Sequence, residues 1–480
     1  MTARSAIEIG PNERWLIVAS VSVGLFAAAL DTTVNVALPA LADSFDADLP
    51  ALQWIIIAFV ATNTALSVGA GSAADRFGLE RFFRWGLLLY AAAMLLIAFA
   101  PNLRVLVALR VLQGVAASAV LTVGPVLVAA AFPAGIRGRV LGITAGTQAA
   151  GMVASGFGGG LLIQTFGWQA IFLGRLPFLF VAFLLAVVAV RGHGRSARVS
   201  ADALDRRFDL AGAVALVVTL GSLLLGLNLV GRSSGPLPAL TLMLATVAAV
   251  AFVFVERRAA WPILDLALFR QRPFSVALAA LLLNSLGVFT VWFIFPFFVA
   301  DVLGHGARAL GVLFGVQGLA MAVSSPLGGW LADRVHPPHV MTAAGIAVAA
   351  GLVSIARLDA DSSVLAAALP LVLTGAGQGA LGPAAWTLVF NRVPPERLGT
   401  ASGALNLGRS MGVVLSVALF SAIFATREDA HLAALVGDGL NEMGARRPAH
   451  MEAFRETFRL AALVALAGAA CSLLAWRRDR

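Results

Sequence analysis

The chain is poor in charge, cysteine and lysine. Only 12% of its 480 residues are Asp, Glu, Lys or Arg, about half the share a soluble globule carries, which excludes a water-soluble fold. One cysteine, Cys471, excludes an intrachain disulfide, and no cysteine-based metal site is expected. All 34 basic residues are arginines, which reflects a GC-rich genome rather than a mechanism. The net charge of +9 would by itself fit a nucleic-acid binder. The arginines lie in short segments between apolar runs, so no nucleic-acid partner is expected. P-loop, dinucleotide fingerprint, zinc-protease motif and catalytic triad are all missing, and the six histidines fall in predicted loops. Neither an enzyme nor an ATP-driven pump is expected, nor any cofactor or metal.

What is present is apolar sequence, 60% of the whole. It divides into fourteen predicted spans: 15–41, 51–73, 83–100, 103–131, 140–165, 170–190, 210–230, 237–255, 274–300, 309–331, 340–357, 363–390, 401–425 and 458–476. Each is near the ~20 residues that a helix needs to cross a bilayer. The first run is too long for a cleaved signal segment and reads as a retained span. An even count puts both termini on one side. With the termini cytoplasmic, 22 arginines are cytoplasmic, nine external and three within spans, so the positive-inside rule selects that orientation. The long loop 426–457 is then external and 191–209 is a cytosolic connector. Trp15, Trp85, Trp168, Trp261 and Trp476 lie near span ends and read as interfacial anchors.

The sequence repeats itself. Gly71-Ser-Ala-Ala74-Asp75-Arg76 recurs as Gly329-Trp-Leu-Ala332-Asp333-Arg334. Pro133, Gly138 and Gly142 match Pro394, Gly399 and Gly403, and Gln113-Gly114 matches Gln378-Gly379, at offsets of 258 to 265 residues. The expected architecture is all-α. A six-helix bundle over 1–190 and another over 273–480 are separated by a linker and two inserted helices over 191–272. Such repeats carry a substrate site between them near mid-membrane. Of the 25 acidic residues, Asp31 alone is predicted deep inside a span. A carboxylate there costs several kcal/mol, so it is a functional candidate by default. Arg110 on span 4 reaches a similar depth by a rise of about 1.5 Å per residue. In the repeat, Val288 and Gly375 stand at the matching places, so the first half alone carries the ionisable pair.

These residues resemble the major facilitator superfamily, and more narrowly its fourteen-span drug:proton antiporter branch. Leu30-Asp31-x-Thr33-x-Asn35-x-Ala37-Leu38-Pro39 is similar to that branch's first-helix motif. Gly71 to Arg81 resembles the signature loop, and Arg110-Val-Leu-Gln113-Gly114 the fourth-helix motif. Trp168 to Pro177 and Ala401 to Gly412 resemble further branch features. Gly156 stands where the fifth-helix motif has proline, Leu79 and Glu80 where the loop has basic residues, and Arg175 where relatives often have Asn.

The resemblance implies a multi-pass transporter of the bacterial inner membrane that exports amphipathic drugs in exchange for protons. Asp31 and Arg110 are the expected proton-coupling pair, with substrate and proton competing for the carboxylate. Desolvation favours the neutral acid and a nearby arginine the ionised one, so a moving arginine would supply the switch. Cavity candidates are Asn35, Gln113, Phe289, Trp292, Gln378 and Arg409. Arg409 has two readings, a substrate contact or a structural bond to helix carbonyls or Gln378. Gly71, Asp75, Arg76, Gly78, Asp333 and Arg334 are expected to gate the cytosolic side. With one carboxylate beside one arginine, the expected substrates are lipophilic and neutral or monocationic. A monomer in the lipid bilayer is expected. The alternatives are export of one endogenous metabolite or lipid, and a sensor or scaffold that keeps the fold without flux.

Overall fold

Inside a bilayer the backbone has no water to bond, so a spanning chain must satisfy its N–H and C=O groups within helices. The computed structural model describes residues 10–47, 49–191, 210–229, 235–259, 264, 266–304 and 307–474, and among them it is all-helical. Helix α1 (Pro11–Ala29) passes through a 3₁₀ turn, Leu30–Thr32, into α2 (Thr33–Phe45). Next come α3 (Leu49–Phe77), α4 (Leu79–Ala98), α5 (Leu103–Ala131) and α6 (Arg137–Phe166). The short α7 (Ala170–Leu173) and α8 (Leu176–Arg191) share one crossing, followed by α9 (Leu210–Leu229) and α10 (Leu237–Arg258). The chain continues with α11 (Arg272–Phe297), α12 (Ala307–Arg334), α13 (Pro337–Ile355) and α14 (Val364–Phe390). It ends with α15 (Leu398–Gly437) and α16 (Glu442–Leu474).

Among the described residues, twelve helical segments are long and apolar enough to cross a membrane, against fourteen expected. The other two are α6 and α9. Helix α6 has 30 residues, about 45 Å of rise, but glycine and hydroxyl residues replace much of its large apolar surface. It uses them to pack closely on α1 and α12. In α9 the qualifying apolar stretch is only Val214–Leu223. Two expected spans are also broken. The first bends at Leu30–Thr32 and the sixth at Gly174-Arg175, and these two breaks face each other across the charge cluster described below.

Helices α1, α3, α4, α5, α6 and α8 pack among themselves, as do α11 to α16. The two sets meet along two seams, α6 with α12 and α3 with α15. Helix α9 packs on α10 and α3. The expected connector lies outside the described residues from 192 to 209. The expected outer loop 426–457 is not a loop. Helix α15 runs 40 residues to Gly437, about 60 Å where a bilayer core needs about 30 Å, and α16 begins at Glu442. Their polar ends form a helical hairpin beyond the membrane. It is tied by Arg427–Glu456 at 3.3 Å and His450–Glu428 at 2.9 Å, and Arg455 joins it to Asp359. His339, His431 and His450 therefore lie in helices rather than loops. Trp15 and Trp85 are exposed as anchors should be, but Trp168 is buried against Phe45 and Phe172.

Candidate functional site

The bend after α1 brings Asp31 against α5, and Arg110 meets it there. Arg110 Nη1 donates to Asp31 Oδ1 at 2.7 Å and Nη2 to Oδ2 at 2.9 Å, the fork geometry that suits a carboxylate. Its Nε donates to the Ile55 carbonyl at 2.8 Å, Nη1 also reaches Gln113 Oε1 at 2.6 Å, and the guanidinium lies 4.5 Å from the Phe59 ring centre. Gln113 Nε2 donates to Asp31 Oδ1 at 2.9 Å and to the Tyr90 hydroxyl at 3.3 Å. Gln113 thus belongs to the charge cluster and not to the cavity expected for it.

A second arginine completes the cluster, and sequence reasoning did not find it as a partner. Arg175 Nη1 donates to Asp31 Oδ1 at 2.7 Å, and Nη2 donates to the Leu30 carbonyl and Thr33 Oγ1, both at 3.0 Å. Arg110 and Arg175 are each 1% exposed. The available signal was the departure itself, a cation where the resembled motif has Asn. The cluster therefore holds two cations on one anion. The expectation of a single arginine is corrected, and the argument for monocationic substrates loses its footing. Four donors are committed to the carboxylate, three on Oδ1 and one on Oδ2.

A separate cavity of about 120 Å³ lies between the two helix sets. Its polar lining includes Gln148, Asn284, Gln378, Asn406 and Arg409, and Trp386 forms an aromatic wall. These positions lie near mid-helix on α6, α11, α14 and α15. A drug-sized ligand needs roughly 300 Å³ or more, so the cavity must widen to hold one. Leu25 and Leu121 line it on α1 and α5. Asp31 is about 9 Å further along its helix and Arg110 about 16 Å along its own, by helical rise. Direct competition at Asp31 by a ligand in this cavity has no geometric basis here. Gln378 and Arg409, two of the cavity candidates, line it. Phe289 and Trp292 do not line the cavity: Trp292 stacks on Phe314 with ring centres 4.6 Å apart. The side chain of Asn35 lies outside those described.

At one end of the bundle, beside Trp15 and Phe132, the two helix sets latch together twice. Asp75, at the end of α3, accepts from the backbone N–H of Gly399 and of Thr400 at 2.9 Å each. Asp333, at the end of α12, accepts from Gly138 N and Arg139 N at 2.7 Å each. Each carboxylate thus caps the first turn of a helix in the opposite set, where free N–H groups and the helix dipole favour an anion. Arg137 adds a cross-seam bond from Nη1 to the Phe390 carbonyl at 3.0 Å. Glycine permits the approach. A Cβ on Gly71 would overlap the Gly399 carbonyl, and one on Gly138 the Gly329 carbonyl. Gly78 joins α3 to α4 at φ +94°, a left-handed value open mainly to glycine. Arg76 and Arg334 lie over the rings of Phe77 and Trp330 on their own helices.

A sequence model of the Major Facilitator Superfamily matches residues 21–417. The chain belongs to the major facilitator superfamily. It is therefore a multi-pass membrane transporter and not an enzyme, and small molecules are its substrates. Its relatives include the riboflavin transporter RibZ of Clostridioides difficile, 27% identical over 86% of this chain and 89% of that protein. The multidrug resistance protein Stp of Mycobacterium tuberculosis is 29% identical over 85% of this chain and 76% of its own length. The tetracenomycin C resistance and export protein of Streptomyces glaucescens is 29% identical over 86% and 76%. Among solved structures, a bacterial homologue of the iron transporter ferroportin in an outward-facing state superposes with a TM-score of 0.65 at 14% identity. That match covers 96% of this chain and 100% of the other, and shows the shared fold.

Proposed function

We propose that this major facilitator protein exports amphipathic compounds by alternating access, driven by protons moving inward through Asp31. The observation that carries the reading is the buried Asp31–Arg110–Arg175 cluster, set apart from a cavity between the two helix sets. Proton and substrate then couple through helix movement rather than by sharing one atom. Arg110 and Arg175 hold the carboxylate until a change of state frees it. The latched end is assigned to the cytosol, with both termini there, because the arginine-rich connections favour that side. Asp75 and Asp333 close that side in this state, and Gly71, Gly78, Arg76 and Arg334 support the closure. Relatives named for multidrug and antibiotic resistance support export of toxic amphiphiles. A relative named as a riboflavin transporter favours the second reading, a specialist for one metabolite. Neutral amphiphiles keep their support among the expected substrates. Monocations lose it, since no acid lines the cavity among the described residues.

The test is flux in proteoliposomes with an imposed pH gradient, using several unrelated amphiphiles and riboflavin. Gradient-driven efflux that disappears in Asp31→Asn is expected. Unchanged efflux in that variant would refute coupling through Asp31, and efflux of one compound alone would select the specialist.

A further inference from the structure

We propose that Arg409 makes the cavity between the helix sets a receptor for one negative charge, so that the preferred exported amphiphiles are monoanions such as aromatic carboxylates or phenolates. This deepens the export reading and rests on it.

The two buried arginines of the charge cluster show how an enclosed guanidinium is satisfied. Arg110 and Arg175 each donate to a backbone carbonyl, those of Ile55 and Leu30. Arg409 does not. Among the described residues its one hydrogen bond runs from Nη2 to Asn406 Oδ1 at 3.2 Å. A guanidinium has five N–H donors, so most of its capacity is left for a ligand. Arg409 lies eleven residues into α15, about 16 Å from its start, a depth at which a cation calls for a counter-charge or water.

Among the described residues no carboxylate lines the cavity to supply that charge. Asp31, the acid of the first bundle's core, is already held by two arginines. A cationic ligand would therefore meet Arg409 with nothing to oppose it. Other lining groups can serve the head of an acceptor-rich ligand. Asn406 Nδ2, a donor, is buried and has no hydrogen-bond partner among the described residues. The carboxamides of Asn284 and Gln378 on the same lining carry NH2 donors of their own, and Trp386 offers a face for a flat ring.

The test uses the methyl ester of fluorescein (hereafter fluorescein), a phenolate monoanion above neutral pH, and rhodamine 123, a cationic methyl ester on the same xanthene frame. Equilibrium binding to the purified full-length protein is followed by fluorescence anisotropy. The wild type is expected to bind fluorescein about tenfold or more tightly than rhodamine 123. Arg409→Gln should erase that preference, and Arg409→Lys should retain much of it because the charge remains. Thermal melts confirm that both variants fold. Equal or tighter binding of rhodamine 123 by the wild type would overturn the proposal. So would wild-type fluorescein affinity in Arg409→Gln, or no binding of fluorescein at all. Proteoliposome efflux separates the two claims. Anion preference without efflux of any compound would refute the transport reading and leave the site assignment standing. Efflux that favours rhodamine 123 would refute the site and leave transport standing.

Discussion

Asp31 is held by more charge than it carries. Replacing it with Asn leaves two buried guanidinium groups without an anion, and breaking such a pair costs about 3–5 kcal/mol. Asp31→Asn alone therefore confounds coupling with stability. Asp31→Asn/Arg175→Asn removes one cation with the anion and should melt at a higher temperature than the single mutant. Both should lack gradient-driven efflux. A double mutant that melts no higher would show that Arg175 does not share the carboxylate. Arg110→Ala should impair transport more than Arg175→Asn, because Arg110 grips both carboxylate oxygens and also holds Gln113 and Ile55. Equal losses at matched protein levels would contradict that ranking. The pairing of Asp31 with Arg110 was legible in the sequence, since position along a straight helix converts directly into depth. Arg175 was hidden because its contact depends on breaks in two helices, and neither break has a strong sequence signal. Cavity membership was half legible for the same kind of reason. Gln378 and Arg409 line the cavity and Trp292 does not, because apolarity alone does not fix the rotation of a helix that is apolar all round.

At the scale of helices, closure at the latched end depends on four glycines meeting in pairs and on two aspartates capping across the seam. Ala at Gly71 or Gly138 would push its Cβ into a carbonyl of the opposite helix, so that end should stay open. In a Cys471→Ser background, a single cysteine at Ser325, buried beneath that closure, should label faster with a membrane-impermeant maleimide applied from the latched side when Gly138→Ala is added. An unchanged rate would show that the glycine contact does not govern access. Asp333→Asn keeps one acceptor but loses the charge at the start of α6, worth about 0.3–1 kcal/mol, and should give a smaller increase in labelling. The repeated Gly-x-x-Ala-Asp-Arg motif made this pair of latches visible as a candidate, because identical residues at one offset imply related places in two bundles. What the aspartates bond to was not visible, since a backbone N–H carries no sequence mark. The hairpin at the ends of α15 and α16 was missed because the apolar pattern stops near residue 425 while the helix does not. Charged pairs one turn apart, such as Glu442 with Arg446 at 2.9 Å, suit a helix in water as well as a loop.

For the whole molecule, the sign of the substrate sets how the membrane potential acts on the cycle. One proton moving inward and one monoanion moving outward both carry positive charge inward, two charges per cycle. A proton exchanged for a monocation carries none. One charge crossing 100 mV is worth about 2.3 kcal/mol, so the anion cycle gains roughly 4.6 kcal/mol there, an accumulation of about 2,000-fold. The cation cycle gains nothing from the potential. Two arginines around Asp31 and a third in the cavity are the observations behind the proposed anion cycle. Proteoliposomes without a pH gradient, given an interior-negative potassium diffusion potential with valinomycin, should therefore expel fluorescein faster than unpolarised vesicles. Reversing the potential should slow or reverse that flux, and Arg409→Gln should abolish the response. Fluorescein efflux indifferent to the potential would mean that another charge travels with the substrate, and that one proton against one anion is the wrong exchange.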